Sequence, residues 1–89
     1  MKLLASMYRL RGNTYARIGH AEKAIEDLSL AIALDRDHAA NALNDRARIE
    51  QKLGRREGAI DDIRAALRLD PGMTEAKKAL ARIEAEPVG

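Results

Sequence analysis

Residues 19–35 read GHAEKAIEDLSLAIALD, and residues 54–70 read GRREGAIDDIRAALRLD. The two stretches begin 35 residues apart and are identical at eight positions. These are Gly19/Gly54, Glu22/Glu57, Ala24/Ala59, Ile25/Ile60, Asp27/Asp62, Ala31/Ala66, Leu34/Leu69 and Asp35/Asp70. Such a match within 89 residues indicates an internal repeat, and a period of about 20–50 residues is typical of repeat architectures.

The apolar residues of both copies recur at the spacing of one helix face. In the first copy they are Ala21, Ala24, Ile25, Leu28, Ala31 and Ile32, and in the second Ala59, Ile60, Ile63, Ala66 and Leu67. Gly19 and Gly54 precede these helices, and each is predicted to supply the positive φ that ends an earlier helix. Those earlier helices are expected from about residue 3 to Ile18 and from about Ala39 to Leu53.

A fifth helix is predicted near the end of the chain. Pro71 and Gly72 break the preceding helix, and Thr74 is a suitable residue to cap the segment TEAKKALARIEAE, which stops before Pro87. The pattern therefore predicts five helices with short connections and no strand.

The composition excludes several classes of protein. The chain has no cysteine, so disulfides and cysteine-ligated zinc are absent. No stretch approaches the roughly 18 apolar residues of a membrane span, and Ser6, Tyr8 and Arg9 interrupt the first apolar run before it reaches the length of a signal peptide. We expect a soluble, cytoplasmic protein without membrane association.

No arrangement of residues indicates catalysis, a metal or a cofactor. His20 and His38 lie at opposite ends of the second helix, about 27 Å apart, too far to share a metal. The adjacent acids Glu26-Asp27 and Asp61-Asp62 are expected to lie on a solvated face, because neighbouring helical residues diverge by about 100°. The chain is predicted not to be an enzyme.

A two-helix unit of about 34 residues resembles the tetratricopeptide repeat. The residues that carry the resemblance are Tyr8, Gly12, Tyr15, Ala24 and Leu28 in the first unit and Leu43, Ala47, Ala59, Ile63 and Pro71 in the second. The small pairs Gly12/Ala47, Ala24/Ala59 and Ala31/Ala66 stand where helices of this family pack closely. Arg11 and Arg46 replace an apolar residue of the family pattern, Glu50 replaces an aromatic one, and the extra residue of the 35-residue spacing is placed in residues 36–39.

The resemblance implies an all-α fold, a right-handed superhelix of antiparallel helix pairs. Residues 1–4 would extend the first helix, 5–39 and 40–73 would form two repeat units, 74–86 a capping helix and 87–89 a tail. In this family the first helices of successive units line a concave groove that binds other proteins.

The resemblance also implies which residues line the groove. In the first two units they are Ser6, Arg9, Asn13, Ala16, Arg17, Asn41, Asn44, Arg48, Gln51 and Lys52, and the fifth helix adds Lys78 and Arg82. None of the first ten is acidic, although Glu75 lies on the fifth helix and Asp45 borders the arc, where it could neutralise Arg48 or Lys52. Residues 1–19 carry four basic residues and no acid, whereas residues 20–35 have a net charge of −3.

These features favour a protein-interaction module that binds an extended, acidic or carboxylate-bearing peptide. A narrower hypothesis is a grip on a C-terminal carboxylate. Arg9 and Asn13 match the first part of that family pattern, and Asn44 matches the second part only if the extra residue of the repeat lies after it. Lys78 could supply part of the third, but Thr74 or Glu75 stands where a second cation belongs.

Two alternatives remain open. The apolar residues Leu3, Leu4 and Met7 are uncapped, which favours either self-association through the first helix or a position within a longer solenoid, with no separate ligand. RNA is disfavoured as a partner because the groove has no aromatic side chain for stacking on bases.

Overall fold

The computed structural model describes residues 2–86, which form five α-helices and no strand. The helices are α1 (Lys2–Arg17), α2 (Ala21–Leu34), α3 (Ala40–Lys52), α4 (Arg56–Leu69) and α5 (Thr74–Ala85). α1 packs on α2 and α3 on α4 as antiparallel pairs, α2 packs on α3 between the pairs, and α5 covers α4. The predicted all-α fold is confirmed. Among residues 2–86, no helix combines the length and hydropathy that a membrane crossing requires.

The turns within both pairs are made by glycine, as predicted. Gly19 has φ of 88° and Gly54 has φ of 79°, a region that other residues rarely adopt. The residue after each glycine donates its backbone N–H to a carbonyl of the helix just ended, His20 to Tyr15 at 2.9 Å and Arg55 to Glu50 at 2.8 Å. These bonds satisfy carbonyls that a helix end leaves unpaired.

The connections between the pairs differ in length. Five residues join α2 to α3, and three of them form the 3₁₀ turn Arg36–His38, whereas four residues join α4 to α5. The extra residue of the 35-residue spacing therefore lies in the connection between α2 and α3. This connection precedes Asn44, so the condition under which Asn44 matches the carboxylate-binding pattern is not met. The expectation that Thr74 caps α5 is wrong, because Thr74 is the first residue of the helix and Met73 occupies the cap position without a side-chain hydrogen bond.

Small residues set the distance between paired helices. A Cβ atom on Gly12 of α1 would lie 3.1 Å from the Ala24 carbonyl oxygen and 3.1 Å from Leu28 Cγ of α2. At the corresponding place in the second pair, Ala47 of α3 is buried in one cluster with Ala59 and Ile63 of α4. The first pair therefore has no space even for a methyl group unless its neighbours shift.

Two buried aspartates correct the expectation that both adjacent acid pairs lie on a solvated face. Asp27 and Asp62 are only 4% and 7% exposed, whereas Glu26 and Asp61 are exposed. Arg11 Nε and Nη2 donate to Asp27 at 2.7 and 2.9 Å, and Arg46 Nε and Nη2 donate to Asp62, both at 2.7 Å. The hydrogen bonds that the two guanidinium groups donate to these aspartates raise the pKa of both arginines.

The Arg46–Asp62 pair differs from its counterpart because it also joins the two helix pairs. Nη1 of Arg46 donates to Ser29 Oγ of α2 at 3.0 Å, while Asp62 belongs to α4. One side chain of α3 thus binds α2 and α4 together. The Arg46 side chain is 24% exposed, whereas the Arg11 side chain is 59% exposed. Water therefore screens the Arg46–Asp62 ion pair less than the Arg11–Asp27 ion pair.

We expect Asp62→Asn to destabilise the fold by about 3 kcal/mol, because it leaves a largely buried guanidinium without its carboxylate. Urea unfolding followed by circular dichroism measures the change. Asp61→Asn is the matched control, since Asp61 is the exposed neighbour in the same turn, and its effect should be below about 0.5 kcal/mol. Equal losses from the two variants would contradict this role of the pair.

Glu50 of α3 is a partly buried acid, and one of its carboxyl oxygens lacks a hydrogen-bond partner within residues 2–86. Its Oε1 atom is buried without a hydrogen bond, and Arg46 Nε lies 3.9 Å away. Burial, with a smaller contribution from Asp62, raises the Glu50 pKa to about 7, although Arg46 and Arg55 oppose the shift. Gly58 of α4 leaves room for this carboxyl group, since a Cβ atom there would lie 2.5 Å from Glu50 Oε2.

This raised pKa makes stability depend on pH. The folded-state pKa of about 7 lies above the ordinary value of 4.5, so the folded chain binds the proton more tightly than the unfolded chain. The stabilisation is complete below about pH 4.5 and is lost as pH rises to about 7. We expect Glu50→Gln to raise the melting temperature at pH 8, with little change at pH 4.5. Glu57→Gln, an exposed site on α4, is the control, and a Glu50→Gln effect that is equal at both pH values would contradict the assignment.

Candidate functional site

The helices α1, α3 and α5 line one surface of the molecule, which contains three connected hollows. We call this surface the groove. The first hollow, about 220 Å³, lies between the N-terminal halves of α1 and α3, and the second, about 410 Å³, between their C-terminal halves. The third, about 210 Å³, lies between α3 and α5.

Eleven of the twelve residues predicted for the groove line these hollows. The first hollow contains Ser6, Arg9 and Asn41, the second Asn13, Ala16, Arg17, Arg48 and Lys52, and the third Asn44, Arg48, Lys78 and Arg82. Gln51 is the exception, because its Nε2 donates to Glu86 Oε1 at 3.3 Å beyond the end of α5. Leu10 and Ile49, which the sequence did not indicate, contribute apolar surface to the second hollow.

Asp45, which the sequence predicts to border the groove, binds groove residues of both α1 and α3. The residue is buried, and its carboxylate accepts hydrogen bonds from Arg9 Nε at 2.6 Å, Asn13 Nδ2 at 3.0 Å and Arg48 Nη2 at 2.9 Å. The sequence indicated that Asp45 could neutralise Arg48, but it did not indicate Arg9 or Asn13. One carboxylate therefore links α1 to α3 and holds two guanidinium groups beside each other.

The remaining cations of the groove have no acidic partner. Within residues 2–86, no carboxylate forms an ion pair with Arg17, Lys52, Lys78 or Arg82. Glu75 lines the third hollow with Lys78 and Arg82 but is not bonded to either. Positive charge available to a ligand is consequently concentrated in the second and third hollows.

Asn44 contributes a buried polar group to the third hollow. The residue is 4% exposed, and its Oδ1 atom is buried without a hydrogen-bond partner among the described residues. A buried acceptor that remains unpaired costs about 1–3 kcal/mol, so a ligand that donates a hydrogen bond here would remove that cost. The side chain stands in the same hollow as Arg48 and Lys78.

The described part of the chain offers no site for a metal ion. No group of three or more histidine, cysteine, aspartate or glutamate side chains among residues 2–86 is arranged to hold one. The polar groups of the groove are predominantly donors, which suit an anion or a peptide rather than a cation.

Comparison with protein families assigns the class of the protein. Residues 5–38 and residues 40–73 each match a model of the tetratricopeptide repeat. The chain therefore belongs to the tetratricopeptide repeat family, with two consecutive repeats followed by α5. No curated protein sequence matches the chain significantly.

Solved structures of similar fold include domains of one particular protein, RPAP3. The first TPR of Spaghetti (RPAP3), bound to the HSP90 peptide SRMEEVD, superimposes with a TM-score of 0.84 at 29% identity. That match covers 90% of this chain and 63% of the other, so the chain spans less than two thirds of that domain. The second TPR of Spaghetti (RPAP3), with the same peptide, gives 0.88 at 29% identity and covers 93% and 76% of the two chains.

A third similar structure is the second TPR domain of human RPAP3 in complex with the HSP70 peptide SGPTIEEVD. Its TM-score is 0.85 at 29% identity, and the match covers 92% of this chain and 68% of the other. All three domains were thus solved with a peptide that ends in the residues EEVD.

Proposed function

We propose that the groove binds an extended peptide with an acidic C-terminal segment, and that the third hollow is the centre of recognition. The observation that carries the proposal is the set of unpaired groups in this hollow. Lys78 and Arg82 lack acidic partners within residues 2–86, and the buried amide of Asn44 lies beside them with an unpaired oxygen. The EEVD peptides bound to the RPAP3 domains support a ligand of this chemistry.

Each polar group of the hollow has a distinct part in binding. Carboxylates of the peptide would accept hydrogen bonds from the ammonium group of Lys78 and the guanidinium group of Arg82, which form stronger bonds with charged acceptors than with neutral ones. Asn44 Oδ1 would accept a hydrogen bond from a peptide N–H, as an amide side chain both donates and accepts. The second hollow, with Arg17 and Lys52, would continue the positive track.

Asp45 decides where in the groove the peptide carboxylates bind. Arg9 and Asn13 already bind the Asp45 carboxylate at 2.6 and 3.0 Å. A second carboxylate there would meet Asp45 itself, and like charges in close contact disfavour binding. We therefore place the peptide carboxylates at Lys78 and Arg82 rather than at Arg9 and Asn13, where the narrower hypothesis from the sequence places one of them.

Arg48 connects the hollows in this proposal. It lines both the second and the third hollow, and Asp45 Oδ1 holds its Nη2 at 2.9 Å. Since one nitrogen is fixed by Asp45, the guanidinium is oriented before a ligand arrives, which lowers the entropic cost of binding. Within residues 2–86, its other nitrogens form no hydrogen bond.

We expect the heptapeptide SRMEEVD to bind, and the double variant Lys78→Glu/Arg82→Glu to weaken its affinity at least about tenfold, because repulsion replaces two attractive contacts. Isothermal titration calorimetry at low salt measures the affinity. Lys77→Glu is the control, since this exposed lysine is adjacent on α5 but does not line the groove.

Two further titrations, one with a protein variant and one with an amidated peptide, show which groups of the protein and the peptide contribute to binding. Arg9→Ala should change the affinity by less than about threefold, because Arg9 is already engaged by Asp45. The amidated peptide tests the terminal carboxylate, and equal affinity of both forms would assign recognition to the glutamate and aspartate side chains alone. Binding that is unaffected by Lys78→Glu/Arg82→Glu would contradict the proposed centre.

A further inference from the structure

α1 has three faces, and one of them is covered by no other helix among residues 2–86. Ala5 and Gly12 pack on α2, and Arg9 and Asn13 face the groove. The third face, which we call the outer face, carries Leu3, Met7, Leu10 and Thr14 at helical spacing. Leu3, Met7 and Leu10 are 77%, 57% and 66% exposed. The sequence indicated Leu3, Leu4 and Met7 as uncapped, and the structure adds Leu10, at the border of the groove.

The repeat shows what kind of element covers this face. The positions of α3 that lie 35 residues after Met7 and Thr14 are Ala42 and Ile49, which are buried in one cluster with residues of α2. On α5, the positions a further 34 residues on are Ala76 and Ile83, which are buried in one cluster with residues of α4. The positions of α3 and α5 that correspond to the outer face of α1 are thus both buried, in each case against the second helix of the preceding pair.

Arg11 has one nitrogen atom, Nη1, that could donate a hydrogen bond to a helix on the outer face. Its Nε and Nη2 donate to Asp27, and within residues 2–86 its Nη1 has no hydrogen-bond partner. At the equivalent position, Arg46 Nη1 donates to the hydroxyl of Ser29 on the covering helix α2. A helix on the outer face would therefore place a side-chain oxygen beside Arg11.

The charge of α1 indicates the sign of the partner. Lys2 lies beside Leu3 and Met7 and forms no ion pair within residues 2–86, and α1 contains no acid, so two copies of this face would bring like charges together. Arg9 and Arg11 are already paired with Asp45 and Asp27. The helix that covers the equivalent face of α3 lies in residues 20–35, with a net charge of −3. Opposite charge across the contact favours association and sets its orientation.

We propose that the outer face of α1 binds an acidic amphipathic α-helix of a partner protein. Its apolar stripe packs on Leu3, Met7 and Leu10, and a hydroxyl or carboxylate oxygen accepts a hydrogen bond from Arg11 Nη1. Leu10 of the outer face also lines the second hollow of the groove, whereas no residue of the outer face lines the third hollow. A helix on the outer face therefore leaves the third hollow accessible. This proposal does not depend on the proposed peptide function.

The segment that contains α2 can be used as a peptide to test this proposal. A synthetic peptide of residues 20–35, acetylated, amidated and fluorescently labelled, carries the acidic charge, the apolar stripe and Ser29. We expect it to bind the protein, to gain helicity on binding and to bind more weakly as salt is raised. Fluorescence anisotropy measures affinity, and circular dichroism measures helicity.

Substitutions on the outer face and elsewhere show whether the peptide binds at the outer face. Leu3→Asp/Met7→Asp should weaken binding of the residue 20–35 peptide at least about tenfold, because it removes apolar contacts and adds two acids to face an acidic helix. Leu69→Asp is the control, since Leu69 is 43% exposed at the end of α4, and it should leave the affinity within about twofold. In the peptide, Ser29→Ala should weaken binding a few-fold by removing the partner of Arg11.

Two results would overturn the proposal. One is equal affinity of the probe for the wild-type protein, Leu3→Asp/Met7→Asp and Leu69→Asp. The other is a dimer of the protein alone in sedimentation equilibrium that Leu3→Asp/Met7→Asp dissociates, because this would assign the outer face to a second copy of the chain. A monomer that binds the probe through Leu3 and Met7 supports it. Titration of Leu3→Asp/Met7→Asp with SRMEEVD tests the groove separately.

Discussion

The packing of the helices in this molecule depends on arginines that lie between helices and bind aspartates of the neighbouring helix. Arg46 occupies a position where the family pattern has an apolar residue, and its charge is neutralised there by Asp62 through two hydrogen bonds of 2.7 Å. Because Ser29 accepts a third bond, one guanidinium fixes α3 against both α2 and α4. Breaking such a pair leaves a charge in a poorly solvated place, so the two residues must be retained or replaced together.

The fixed stacking of the two pairs is what brings the groove residues together. Arg9 belongs to the first pair and Arg48 to the second, yet both bind the carboxylate of Asp45, at 2.6 and 2.9 Å. A rotation of one pair against the other would separate these three groups. The interface between the repeats and the floor of the groove are therefore maintained by the same contacts.

The sequence predicted the helices and the glycine turns, because these follow from local periodicity and from the repeat itself, whereas the groove residues were predicted from the resemblance to the tetratricopeptide repeat. It did not predict that Asp27 and Asp62 are buried, since their arginines lie 16 residues earlier. A signal was present, as both the arginines and these aspartates are identical in the two repeats. No such signal existed for Asp45, whose counterpart in the first repeat is Leu10, or for Gln51, whose partner Glu86 lies beyond α5.

Asp45 also explains why the cations of the groove are not equivalent. On α3, Asp45 occupies the position that Leu10 of the outer face has on α1. The first helix pair covers this position of α3, and its residues Arg9 and Asn13 bind the Asp45 carboxylate. A ligand that drew Arg48 away would leave this buried carboxylate with fewer donors, and that loss would oppose binding. Lys78 and Arg82 have no such commitment within the described residues. A carboxylate can bind them without breaking an existing contact, which favours the third hollow as the binding place of the peptide in the proposed function.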